Sequence, residues 1–128
     1  MQRIFRTRTF SRWMRKSGVS DSDLTGAVEE MMQGLVDAEL GGHLFKKRVA
    51  VPGRGKRGGA RTILATRMEG FWFFLFGFKK NERDNIDKHE LRLLKEVARD
   101  LLSFDAGQLG QAIAAGELTE VNNDETRT

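Results

Sequence analysis

Hydrophobic positions along the chain fall into short alternating runs and longer helical stripes, and their order predicts a small mixed domain. Residues 2–9 read as a first strand, followed by a short helix that contains Trp13 and Met14. A second helix starts at Ser20, which can cap it, and Asp23 three residues on approximates a capping box. Leu24, Val28, Met31, Met32 and Leu35 then recur at helical spacing, and Gly34 and Gly41-Gly42 mark the end and the following turn. Three strand-like runs follow. Residues 44–51 place Phe45, Val49 and Val51 on one face and Lys46 and Arg48 on the other. Residues 61–68 make the second run, ending at the turn Glu69-Gly70. Residues 71–78 are apolar on both faces, Phe71, Phe73 and Leu75 against Trp72, Phe74 and Phe76, which predicts a central strand covered above and below.

Beyond it, residues 81–86 read as a single helical turn, and Asp87 with Glu90 signals another helix start. Leu93, Leu94, Val97, Ala98, Leu101 and Leu102 give a long amphipathic helix ending near Phe104. Residues 108–115 make a weak helix, opposed by Gly107 and Gly110, and the polar residues 117–128 are expected to be disordered. The order predicts an α+β domain over residues 1–104, a small antiparallel sheet with its helices mainly on one face, and a C-terminal extension over 105–128. The opposite face would then carry Lys46 and Arg48 beside a Gly-rich loop.

Composition narrows the class. The chain has 128 residues, one proline and no cysteine. That excludes disulfide frameworks and thiolate chemistry and fits a reducing compartment, hence the cytoplasm. No run approaches the ~18 apolar residues of a membrane helix, so no membrane partner is expected. The opening MQRIFRTRTFSRWMRK lacks the apolar core of a secretory signal, although its Arg-rich, acid-free character also resembles an organellar targeting peptide.

Charge changes the picture further, because the signs are segregated. Residues 1–20 carry six basic side chains and no acid, and residues 46–67 carry eight, again without an acid. The last 28 residues hold one Arg against five acids. Such blocks predict a positive surface suited to a polyanion, with a solvated face as the plainer alternative.

The chemistry concentrates at residues 52–61, PGRGKRGGAR. Gly53, Gly55 and Gly58 have dinucleotide-fingerprint spacing, but a strand follows where that motif needs a helix. A Walker loop is excluded as well, because the required Ser or Thr is absent. The segment reads instead as a hairpin loop carrying Arg54, Lys56 and Arg57, whose cationic groups can grip phosphate. Arg61 begins a strand and so has a fixed direction from which to clamp a phosphate as charge develops on it. Lys79, Lys80 and Arg83 form a second cluster after the central strand, and the two clusters could meet around one groove. With two distant histidines and no cysteine, no metal site or cofactor is expected. Acids at 82, 84 and 87 fit a helix dipole better than magnesium, and the aromatic run fits a core better than base stacking.

The joined pattern KRVAVPGRGKRGGARTI, FFLFGFKKNERDNI and the helix beginning at HEL resembles the HigB-like branch of the RelE/ParE toxin superfamily. The resemblance is carried by residues 40–103 and extends to 1–103 with the elements before them. It implies a RelE-like fold, a bacterial toxin with a cognate antitoxin of helix-turn-helix type, and in many members ribosome-dependent mRNA cleavage. A homologous branch poisons DNA gyrase instead, and an RNA-binding module without cleavage is a further alternative. By motif position, Lys56 or Arg57 falls near the base role, Arg61 stabilises the phosphorane, and Lys80 and Arg83 hold flanking phosphates. Lys46, Arg48, Arg54, Arg57, Lys79 and Lys80 would bind RNA phosphates. The family often supplies a Tyr or His for proton transfer. This chain has no tyrosine, which leaves proton delivery to the leaving group unassigned. A lone histidine such as His43 or His89 is more often structural or solvent-exposed than catalytic. His89, near Arg83 on the first turn of the long helix, is the possible acid or base.

Overall fold

The computed structural model describes residues 2–51 and 55–121, and at 55–58 the backbone alone. Strand β1 (Arg3–Thr7) leads into helices α1 (Arg8–Ser17) and α2 (Asp21–Met32). Strands β2 (Ala38–Gly41), β3 (Leu44–Val51), β4 (Gly55–Thr66) and β5 (Phe71–Lys79) follow. Helices α3 (Lys88–Leu102) and α4 (Ala106–Ala114) and strand β6 (Leu118–Glu120) complete the order. Among the described residues the strands form one sheet in the order β2-β3-β4-β5-β1-β6. Neighbours run antiparallel except for the parallel pair β1–β5. No helix there is long and apolar enough to cross a membrane.

The α+β class and the largely antiparallel sheet agree with the sequence pattern, but the helices divide between the two faces of the sheet. α1 and α2 bring Phe10, Met14, Leu24, Val28 and Met31 onto Ile4, Phe45, Leu64, Trp72 and Phe74. α3 and α4 bring Ala98, Leu101, Leu109 and Ala112 onto Phe5, Leu44, Ile63, Phe73 and Leu75 on the reverse side. The reason is β5 itself. A strand with large side chains on both sides needs a layer over each.

Past Leu102 the chain packs on the same sheet. Asp105 and Gln108 make a reciprocal capping box that starts α4 despite its glycines. Leu109 and Ala112 are buried, and β6 pairs with β1. Arg8 donates from Nη2 to Ala115 O at 3.1 Å, satisfying a carbonyl at the end of α4. Of the segment expected to be disordered, residues 122–128 lie outside the described residues.

α2 and α3 begin with the boxes read from the sequence, Ser20 with Asp23 and Asp87 with Glu90. The buried stripe of α2 is Leu24, Ala27, Val28 and Met31, whereas Met32 and Leu35 are exposed. In α3, Leu93 and Val97 likewise face outward.

Two features of β5 position the site. Ile63 pairs with Phe76, but the next residue, Leu64, pairs with Phe74, so Leu75 is an extra residue in β5. This bulge moves Phe76 onto the Leu75 face, not the Trp72–Phe74 face that simple alternation predicts. Two residues later Gly77 meets the Trp13 ring. A Cβ built on Gly77 would lie 2.7 Å from Trp13 Cδ2 and closer still to Cε3 and Cζ3, so only glycine lets α1 approach here.

Candidate nucleic-acid interface

The sheet register gathers cations on the α3 side of the sheet. Lys46 stands opposite Ile63, and Arg48 stands opposite Arg61. Arg61 in turn stands opposite Phe78, and Ile63 opposite Phe76. Directly opposed residues share a face, so Lys46, Arg48 and Arg61 lie on the side that also carries Phe76 and Phe78.

Arg61 is the unusual member. It sits within β4, not at the start of a strand, because β4 begins at Gly55. Its side chain is only 7% exposed, and Nη1 is buried with no hydrogen-bond partner. Burial first, and the nearby Arg48 charge second, lower the pKa of its guanidinium, while Asp37 acts in the opposite sense. The group nonetheless stays charged at neutral pH. A buried, unpaired guanidinium N–H is costly unless a ligand supplies the acceptor.

Arg83 reaches the same face from the turn after β5. Its guanidinium lies over the Phe78 ring at 5.7 Å and over Phe76 at 5.9 Å. Arg61 and Arg83 therefore flank Phe78. Unlike Arg61, Arg83 donates from each of its three nitrogens: Nε to Asn85 O at 3.0 Å, Nη1 to Glu90 Oε2 at 2.9 Å and Nη2 to Glu90 Oε1 at 2.5 Å. Glu90 also accepts from the Asp87 backbone N–H at 2.9 Å. One carboxylate thus caps α3 and ties the turn to it.

The Arg83 hydrogen bonds first, and the Asp87 N–H next, hold the Glu90 carboxyl below the usual carboxylate range. A carboxyl depressed in the folded state adds stability above its unfolded pKa of about 4.3. That stability is lost as the pH falls through the lower, folded value. Glu90→Gln should therefore flatten the acid side of the thermal stability curve below about pH 4. Circular dichroism melts across that range check it, and an unchanged acid limb would mean that the pair contributes nothing.

The other expected residues divide. Lys79 pairs in register with Ala60, whose side chain is in the α1/α2 core, so strand alternation puts Lys79 on the face opposite Arg61. Lys80 is exposed in the turn that follows. Lys56 and Arg57 are placed on β4 by backbone alone, and Arg54 lies outside the described residues. His89 is exposed on the first turn of α3 and adds to the field that depresses Glu90. His43 is in the β2–β3 turn at φ 65°, 3.4 Å from Arg67. Among the described residues, no group of three or more His, Cys, Asp or Glu side chains could hold a metal ion.

Sequence reasoning missed Phe76, Phe78 and Glu90 as parts of this surface. The rings read as core and the acid only as a cap. It also passed over Lys47, which is 3% exposed and paired with Glu30 of α2 at 2.8 Å. The (i, i+7) placement of Glu90 after Arg83 was a signal available in the sequence, whereas the bulge had none.

No individually curated protein matches the chain. Among protein families, the RelE toxin of the RelE / RelB toxin-antitoxin system matches residues 2–121, a span that includes both basic strands, the turn with Arg83 and the closing strand β6. The chain belongs to this RelE toxin family of toxin–antitoxin systems.

Proposed function

We propose that this toxin is a ribosome-dependent mRNA endoribonuclease of the HigB-like branch, acting in the bacterial cytoplasm. The observation that carries the reading is Arg61: a buried guanidinium with an unpaired Nη1, bordered by Arg48, Arg83 and two aromatic rings. A phosphodiester supplies the acceptor that this group lacks. In the reaction the 2′-hydroxyl loses a proton and attacks the adjacent phosphorus, and the 5′-oxygen leaves with a proton. Arg61 stabilises the extra charge of the phosphorane, which is where a preorganised donor has the largest effect. Lys56 is the base, since Arg54 and Arg57 nearby in sequence disfavour its protonated form. Arg57 cannot serve, because guanidinium does not deprotonate in proteins.

Lys46 and Arg48 hold neighbouring phosphates. Arg83 keeps its bonds to Glu90 and contributes a fixed positive charge and the wall behind Phe78. His89, exposed beside Glu90, delivers the proton to the leaving oxygen. The partners are mRNA on the ribosome and a cognate antitoxin of helix-turn-helix type.

Primer extension on cellular transcripts after induction tests the reading. Discrete breaks in translated messages are expected, absent with Lys56→Ala and retained with Arg57→Ala. Intact messages accompanied by DNA damage would overturn it in favour of a gyrase poison.

A further inference from the structure

A second group of cations lies on the other side of the sheet, outside the site described above. Arg6 of β1 and Ser11, Met14 and Arg15 of α1 line a cleft of about 260 Å³ together with Val19. Arg6 donates from Nη1 to Asp21 at 2.6 Å, yet its Nε is buried without a partner. The Ser11 hydroxyl is also buried without one. Two unpaired donors in one cleft mark a place where an acceptor belongs. Asp21 balances the charge of Arg6, but Arg15 lies at the same cleft, and Arg12 and Lys16 are exposed on the same helix. None of these three forms an ion pair among the described residues.

We propose that this cleft binds a backbone phosphate of structured RNA. Ser11 and Arg15 are one helical turn apart, as are Arg12 and Lys16, so successive groups rise on the order of 6 Å. That matches the spacing of phosphates along an A-form strand, whose backbone is what proteins read in double-stranded RNA. An acidic protein partner would also suit the charge. The unfilled donors, however, are a guanidinium N–H and a hydroxyl at one cleft, and both donate to phosphate oxygens. The cleft goes beyond the cleavage reading and depends on it only for the choice of RNA among polyanions.

The two are kept apart by working in the Arg61→Met background, which disables the first site. Binding of an RNA duplex is measured by fluorescence anisotropy over a range of salt concentrations, with melts to verify folding. Ser11→Ala and Arg15→Ala should each weaken binding, Arg15→Ala by about tenfold with a salt slope reduced by about 1. Inorganic phosphate should shift the Arg6 Nε–H resonance in NMR, and the duplex should shift it further. Unchanged duplex affinity and slope in both variants would overturn the proposal. So would a shift with inorganic phosphate alone, or binding of polyglutamate in place of RNA.

Discussion

Replacing Arg61 with methionine should abolish growth arrest and lower mRNA cleavage roughly 100- to 1,000-fold, the usual effect of removing one donor aimed at a developing oxyanion. The same substitution should leave the protein folded and raise its stability by about 1 kcal/mol. Both halves follow from one geometry. The folded chain buries a cation whose Nη1 has no acceptor, next to a second arginine that repels it. A thioether of similar length fills the space without that desolvation. Under the cleavage proposal, function and stability pull in opposite directions at one residue, as is common where a site is kept ready for charge. Thermal melts and cleavage assays on the same preparation decide the matter. A destabilised Arg61→Met chain would mean that the guanidinium supports the fold. A stable, fully toxic one would remove Arg61 from the chemistry.

The second large effect concerns Gly77. Gly77→Ala should destabilise the protein by about 3 kcal/mol, at the upper end of overpacking penalties. The neighbour in the way is the body of an indole ring, not the end of a flexible chain. Because Gly77 separates Phe76 from Phe78, relief by shifting β5 would disturb the floor between Arg61 and Arg83. Trp13→Leu should rescue much of the loss, so the double variant should be more stable than the sum of the single effects by about 1–3 kcal/mol. Urea titration of the four proteins measures that coupling. Strict additivity would show that the ring does not set the approach of α1.

Much of this architecture was legible in residue patterns. β3 has the bounds that alternation gives, and α2 and α3 start where Ser20 and Asp87 predict. β5 is as central as its two greasy faces require. The short edge strands β2 and β6 were not legible, because four and three residues carry too little periodicity and are strands only through their neighbours. The division of the helices between two faces is a tertiary outcome of the same kind. In the site, the convergence of Arg61 with Arg83 could be anticipated from their positions either side of the central strand. The state of each could not. One keeps a buried Nη1 without an acceptor and the other is held by Glu90, beside a bulge that turns two phenylalanines toward them. Lys79 fails as a member for the converse reason, since a single step along a strand reverses its side.

The place of β1 between β5 and β6 has a consequence for the order of assembly. β1 precedes both of its partners in the chain, Phe71–Phe74 on one flank and Leu118–Glu120 on the other. The β3–β4–β5 meander needs only strand pairings between consecutive segments of the chain. β1 must wait with its edges bare, and α1 waits with it. The sheet therefore closes last at its two-sided strand β1, only after Leu118–Glu120 has joined the chain.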